Sequence, residues 1–470
     1  MCKWHSFLVL GLVLLAMACQ SSGNKSQEEP SSDFTPRDLS AIKESDTINV
    51  ITLYSSMSYF LYKGEPMGYE YELLKDFADA EKLKINIKIA PNINRLTEML
   101  LNGEGDLIMY NIPITNDGKT RWTYCGREVI TQQVLVQRSN RSDTILTDVT
   151  ELRGREVWVK HDTKYHDRLK NLNNELGGGI IIQDILQDTI NTEDLIELVA
   201  KGKISYTVSD DNIAQLNKTY HSNINNSLLI SHPQRSSWAV QQNCPELAVA
   251  LNLWFANRQN TERYRAIIKR YFETSKSPAE ESVRELGSLY GGGQISPYDS
   301  LFRQHASEIQ KEWQLIAAVS YQESRFDTTG VSWAGAVGLM GLMPGTAKAM
   351  GIDVEQRTNP EASIKAGSAY LQLMYRSFKS ITNEEERIKF MLAAYNAGIG
   401  HVLDARALTR KYGKDPEIWD DNVEEYIRLK SNPEYYNDSI CKHGYLRGSE
   451  TVSYVKDIMR RWYYYREKVQ

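Results

Sequence analysis

From residue 47 to about 275, short apolar runs alternate with stretches in which apolar residues return every three or four positions. Thr47–Leu53, Ile85–Ile89, Gly105–Tyr110, Gln132–Gln137, Glu156–Lys160, Ile180–Ile182 and Ser205–Ser209 read as strands, and Trp238-Ala239-Val240 is a further apolar run. Tyr71–Glu81, Asn94–Asn102, Asp167–Leu176 and Thr192–Lys201 read as helices. This alternation predicts an α/β region, and its two successive series predict two lobes. After Phe272 the pattern loosens into Thr274–Pro278 and later Tyr290-Gly291-Gly292-Gly293, with a short polar helix between, as a linker does. From about 295 helical periodicity takes over, which predicts an all-α second domain.

The chain opens differently. Lys3 and His5 precede an apolar run, Phe7–Ala18, which is too short to span a bilayer comfortably and stops at Cys19. This is an export signal. Leu15-Ala16-Met17-Ala18-Cys19 resembles the lipobox of a bacterial lipoprotein, which implies a diacylglyceryl group on the Cys19 sulfur and a lipid anchor in the membrane. A plain secretory signal and an uncleaved anchor are the alternatives. Gln20 resembles outer-membrane sorting residues, so the expected location is the outer membrane, facing the periplasm. Residues 20–45 are polar and apolar-poor, and are expected to form a disordered tether. The organisation read from the sequence is a signal at 1–18, a tether at 19–46, an α/β domain at 47–275, a linker at 276–294 and a helical domain at 295–470.

At 470 residues the chain exceeds what one core usually organises. Hydrophobic residues at 41% and charged residues at 24% describe a globular protein, and a net charge of -5 gives no pull toward nucleic acid. Once Cys2 leaves with the signal and Cys19 takes lipid, Cys125, Cys244 and Cys441 permit at most one bridge, Cys125 to Cys244 being the pair to check. None has the short spacing of a zinc or redox motif, so no metal or organic cofactor is expected.

Candidate chemistry lies in the helical domain. In Trp313–Phe326, Ile316, Val319 and Glu323 share one stripe, so a carboxyl continues an apolar face. Burial favours a protonated carboxyl, as a general acid at a glycosidic oxygen requires. The alternative is a helix that ends near Glu323 and delivers it to water or Arg325. Ser332–Ala347 is rich in small residues and methionine, which lets backbone approach a ligand closely, and Ala393–Gly398 offers Tyr395 and Asn396 for stacking on and bonding to a sugar. Helix packing uses similar residues.

Two resemblances follow. Gly68–Leu74, Leu101–Asp106, Thr120-Arg121 and Leu152–Val157 resemble, in their order, the type II periplasmic solute-binding proteins of the amino-acid-binding class. That resemblance implies a two-lobed domain for a small amino-acid-like or muropeptide-like ligand. Arg121 would clamp a carboxylate and Asp210 would hold an amine. Arg121 reads equally as a surface ion pair. Glu323-Ser324, Gly338–Pro344, Ala394–Gly398, Glu450-Thr451 and Tyr454-Val455, with Asn359-Pro360-Glu361 and Ala366-Gly367, resemble the soluble lytic transglycosylase domain, a relative of goose-type lysozyme.

The second resemblance implies cleavage of the β-1,4 bond between N-acetylmuramic acid and N-acetylglucosamine of peptidoglycan glycan strands. Glu323 would be the acid, and the products would carry 1,6-anhydromuramyl ends. Ser324 and Ser332 would lie near the substrate. Met343, Tyr395 and Asn396 would line the muramyl subsite, with Glu450 and Tyr454 at its edge. Gly341 departs from the family, which has Gln there. A binding-only protein and a water-using hydrolase remain as alternatives to the lytic enzyme. The fusion of a solute-binding module ahead of this domain is the arrangement of one membrane-bound class of transglycosylases.

Overall fold

A computed structural model describes residues 36–186, 190–276 and 294–469. The expected signal, Cys19 and the glycine run of the linker lie outside these residues.

The α/β region contains two five-stranded sheets. The first has the order β4-β1-β5-β12-β6, from β1 (Thr47–Thr52), β4 (Lys84–Ile89), β5 (Leu107–Pro113), β6 (Trp122–Thr131) and β12 (Gln234–Gln241). The short hairpin β2 (Phe60–Tyr62) and β3 (Glu65–Met67) stands outside it. β4, β1 and β5 run parallel while β12 runs antiparallel between β5 and β6. Ile48 and Val50 of β1 pack under the helices α2 (Tyr69–Glu81), α8 (Pro245–Arg258) and α9 (Glu262–Phe272), whereas Ile51 packs with α3 (Ile93–Leu101) on the other face. Burial on both faces explains why this strand reads as a continuous apolar run.

The second sheet has the order β11-β7-β10-β8-β9, from β7 (Gln133–Arg138), β8 (Glu156–Lys160), β9 (Ile181–Ile185), β10 (Tyr206–Asp210) and β11 (Ile224–Leu229). α5 (Lys164–Glu175) covers one face, and α6 (Thr192–Ala200) and α7 (Asp211–Lys218) the other. Chain passes between the lobes from β6 to β7 and from β11 to β12, so the two-lobed architecture expected from the sequence is present. At the crossings, Asp211 N donates to Gln132 O at 2.8 Å and Gln132 Nε2 to Ser231 O at 3.1 Å.

Two expectations are corrected. The tether does not extend to 46: Leu39–Glu44 forms helix α1, capped by Asp38, with Ile42 fully buried, and Arg37 pairs with Asp106 at 3.0 Å. Ile42 and the half-buried Leu39, the Arg37 ion pair and the Asp38 carboxylate, which accepts from Glu246 N and Leu247 N at the start of α8, attach a segment that composition alone assigns to solvent. Cys125 and Cys244 are not bridged; both are buried free thiols, and burial raises their pKa. A maleimide reagent is therefore expected to leave both unlabelled in the native protein and to label both after denaturation without reductant. Labelling that requires reductant would mean a bridge.

The second module is helical, as expected: α10 (Asp299–Ile309), α11 (Trp313–Ser324), α12 (Pro344–Ala349), α13 (Pro360–Ser377), α14 (Glu384–Ala397), α15 (Ile399–Lys411), α16 (Glu424–Leu429), α17 (Pro433–Tyr436) and α18 (Gly448–Lys468). α11 is the core helix; Leu315 through Ser320 are all buried, as an all-round apolar sequence requires. Pro36–Gln470 clusters as one compact unit. Ala334, Ala336, Met343 and Tyr445 belong to the apolar cluster of the first lobe, so the core runs on across the two modules. Among the described residues no helix is long and apolar enough to cross a membrane.

Candidate active site

Glu323 lies in the last turn of α11. The helix stops there because Arg325 and Phe326 both take left-handed backbone angles, φ 52 and 66. The carboxyl thus emerges where a fully buried helix meets a cleft. Tyr454 of α18 donates its hydroxyl to Glu323 Oε1 at 2.7 Å, and burial with this carboxylate raises the Tyr454 pKa well above its ordinary value. Ser324 Oγ donates to Ser320 O at 3.1 Å and to Leu339 O at 3.0 Å, and Ser320 Oγ also reaches Leu339 O. These two hydroxyls pin the 338–342 loop against α11, so Ser324 is committed to backbone here rather than to the cleft.

That pinning brings Gly341 onto the acid. Its φ is +55, and a Cβ there would lie 2.1 Å from Glu323 Oε2. In this arrangement a side chain at 341 displaces the carboxyl, so glycine does more than delete an amide: it vacates space beside Glu323. Lys63 meets the carboxyl that occupies it. Its Nζ lies 3.0 and 2.9 Å from the two carboxyl oxygens and 3.4 Å from Gly341 O, and the two side chains are 6% and 8% exposed.

Lys63 and Gly64 form the turn between β2 and β3, with φ 50 and 82, the paired positive angles of a type I′ hairpin. The tip is held on both sides. Glu65 Oε1 accepts from Gly345 N at 2.7 Å, and the Tyr62 ring lies 5.1 Å from that of Trp333. Reading the sequence for chemistry missed this residue; Lys-Gly between apolar Phe60-Leu61-Tyr62 and Pro66-Met67 was the available hairpin signal.

The other expected residues surround this pair. Ser332 is exposed, accepts from Ala336 N at 3.0 Å, and with Glu323, Gly338 and Gly341 lines a cavity of 280 Å³. Asn396 and Glu450 line a separate small cavity together with Tyr62 and Lys63 of the hairpin, and Asn396 Oδ1 accepts from Thr451 Oγ1. Tyr395 is 2% exposed and donates to Met340 O at 2.7 Å, with Lys63 Nζ 5.6 Å from its ring centre. Met343 is buried against the first module. Burial pushes the Glu450 carboxyl up to about 7 against the lowering effect of Arg447 and Lys276, and burial pulls Lys276 down to about 7. Arg447 also reaches the second lobe, donating to Glu193 Oε2 at 3.1 Å and Asn217 Oδ1 at 3.0 Å. Both lobes therefore grip the helical module.

In the first module Arg121 takes the surface arrangement. It is the last residue of the short helix α4 (Gly118–Arg121), inserted between β5 and β6 and absent from the strand reading; its side chain is 42% exposed, 3.7 Å from Asp117, and lies over Trp122. Asp210 ends β10 in the other lobe, buried and bonded by Lys164 Nζ at 2.6 Å. Glu70 in the first turn of α2 was not anticipated. It accepts from Ser58 Oγ at 2.6 Å and from Asn111, and burial pushes it up to about 7.

The folded chain thus keeps the Glu70 proton between about pH 4.5 and 7 while the unfolded chain has released it, so this residue's contribution to stability falls as pH rises through that window. Glu70→Gln removes the dependence. Between pH 5 and 8 the melting temperature of the wild type is expected to fall by several degrees relative to this variant, because a shift of this size is worth about 3 kcal/mol at most. Parallel melting curves would contradict the assignment.

Fold and site together define a two-module protein, a solute-binding module whose hairpin enters the acid-bearing cleft of a lysozyme-like module. The profile of bacterial extracellular solute-binding proteins, family 3, matches residues 47–274, and that of the transglycosylase SLT domain matches residues 300–418. The membrane-bound lytic murein transglycosylase F of Desulfosudis oleivorans is 34% identical over 419 residues, covering 89% of this chain and 89% of that protein. That of Aeromonas salmonicida is 30% identical over 466 residues, covering 98% and 88%. The chain belongs to the membrane-bound lytic murein transglycosylase F family. Among solved structures, substrate binding domain 2 of Lactococcus lactis GlnP aligns with 49% of this chain and 96% of its own, at 17% identity and a TM-score of 0.41.

Proposed function

We propose that this chain is a peptidoglycan lytic transglycosylase whose single acid is Glu323, held in check by its solute-binding module. The observation that carries the catalytic reading is the position of Glu323, at the mouth of a buried helix and bonded by Tyr454. With the cleft free, protonated Glu323 gives its proton to the bridging oxygen as the muramyl C1–O bond breaks. The resulting carboxylate takes the proton of the muramyl C6 hydroxyl as that oxygen bonds to C1. Acid and base are one group, no water enters, and the substrate's N-acetyl group supports the developing charge at C1. Ser332, Asn396, Met343, Tyr395, Glu450 and Tyr454 would border the muramyl subsite.

In the arrangement described, Lys63 occupies both carboxyl oxygens, which excludes a glycosidic oxygen from the same place. The hairpin belongs to the first lobe and Glu193, which holds Arg447, to the second. A ligand that changes the angle between lobes therefore acts on two grips at once, which is the way hinge motion reaches a neighbouring site. Asp210 remains a candidate for that ligand's amine; the exposed setting of Arg121 favours an ion pair for that residue.

We further propose a signal at 1–18, lipid on Cys19, a tether ending near 36, a solute-binding module to about 275 and a catalytic module from about 295. This arrangement would hold the enzyme on the outer membrane facing the periplasm. The activity is tested by weighing the muropeptides released from sacculi: ends lighter by one water support the reading, reducing ends would make the protein a hydrolase, and no release at any ligand would make it a binder.

A further inference from the structure

The second lobe carries a cluster that neither the cleft nor the expected solute site uses. His161 follows β8, His166 lies in the first turn of α5, and Asp184 is in β9. β8 and β9 pair in parallel with Val159 opposite Asp184, and His161 N donates to Ile185 O at 3.1 Å. Val157, Val159 and His161 alternate toward the face that α5 covers, so the imidazole of His161 and the carboxylate of Asp184 meet His166 beneath the helix. The donor atoms of the three residues lie within 4.8 Å of one another.

We propose that His161, His166 and Asp184 bind one divalent transition-metal ion of the zinc class. Hydrogen bonding accounts poorly for the cluster. His166 is 1% exposed, and neither of its ring nitrogens has a hydrogen-bond partner among the described residues; nor does Nδ1 of His161. His166 Nε2 lies 3.0 Å from Asp184 Oδ1 out of hydrogen-bond alignment, and His161 Nδ1 lies 3.6 Å from Asp184 Oδ2, beyond hydrogen-bond distance. A buried polar atom left unpaired costs about 1–3 kcal/mol. One cation shared by the two imidazoles and the carboxylate satisfies a nitrogen of each ring together.

The donor chemistry selects the ion. Two imidazoles with one carboxylate suit zinc and its neighbours in the first transition row, whereas magnesium and calcium prefer an all-oxygen shell. Tetrahedral zinc places its donors roughly 3.3–3.5 Å apart, so the cluster must contract by about an ångström. The side chains of His161 and Asp184 are 42% and 37% exposed and have the freedom to close on His166, which is 2% exposed and fixed by packing. The same exposure supplies an entry path and a solvent ligand for the fourth position. Asp162, 3.7 Å from His161 Nε2, adds a second carboxylate beside the site. The ion would fix the turn that carries Lys164, the partner of Asp210, and so bear on the expected ligand site.

The test uses the full mature chain, stripped with a chelator and titrated with zinc chloride by calorimetry, with magnesium chloride as the comparison. One saturable zinc site, no magnesium binding, and a zinc-dependent rise in melting temperature are expected. His161→Ala and Asp184→Asn, both at partly exposed positions, are expected to weaken zinc binding roughly 10- to 100-fold or more while leaving the metal-free melting temperature close to that of the wild type. Absence of saturable zinc binding overturns the proposal. So does wild-type affinity in both variants, which would place the zinc elsewhere, as does a magnesium isotherm equal to that of zinc.

Discussion

Glu323→Gln is expected to lower the release of anhydro-muropeptides from sacculi by about a thousandfold, within the 10²–10⁴ range that a positioned acid or base contributes. The amide keeps the shape of the carboxyl and accepts the Tyr454 hydroxyl bond, so the fold is retained, but it can neither give the proton to the leaving oxygen nor receive one from the C6 hydroxyl. Both halves of the reaction fail through one substitution because the cleft supplies one acid for both. Because Lys63 loses its buried partner, the melting temperature is expected to fall as well; release within a few-fold of the wild-type rate would end the mechanism proposed above, whereas loss of activity in a protein that still melts cooperatively supports it.

Lys63→Met is expected to act in the opposite direction. Removing one partner of a buried ion pair typically costs about 3–5 kcal/mol, because a charge is left without compensation. Here that cost falls on the arrangement in which the hairpin fills the cleft, and an open arrangement does not bear it. The unstimulated rate on sacculi should rise tenfold or more, accompanied by a lower melting temperature. Methionine keeps the apolar stem of lysine, so the effect reports the ammonium rather than lost packing. If Lys63 served the chemistry instead, the same substitution would slow the enzyme; a rate at or below that of the wild type would therefore exclude the restraining role. Combining Lys63→Met with Glu323→Gln should give an inactive protein, tying the gain to the same acid.

The residues that repeat locally were legible from composition and period alone. Strands such as Glu156–Lys160 and helices such as Thr192–Ala200 stand where their apolar spacing places them, and the stripe Ile316, Val319, Glu323 already put a carboxyl on the buried face of α11. The resemblance to a transglycosylase domain added Tyr454, which reaches the acid. What could not be read was pairing over distance. β12 returns between β5 and β6, across more than a hundred residues of intervening chain, and its short apolar core did not announce which sheet it would join. α4 and the side chain of Arg121 turned on local backbone rather than on pattern. The segment after Pro36 looked like solvent because its hold on the fold rests on a few scattered side chains, Arg37, Asp38, Leu39 and Ile42, whose partners lie far along the chain.

The amino-acid sequence by itself determined the fold classes of the two modules, because apolar periodicity is written in neighbours a few residues apart; Glu323 as the proposed acid came from the resemblance of several separated segments to a transglycosylase domain. Only the tertiary structure decided that the acid is covered. Lys63 and Glu323 are 260 positions apart, and each is unremarkable in its own segment, a lysine in a turn and a glutamate at a helix end. Their meeting depends on the summed packing of two modules, in which a hairpin tip, a glycine at 341 and a pinned loop fit one another. No local periodicity encodes that fit, since the energy that selects it arises only once both surfaces exist.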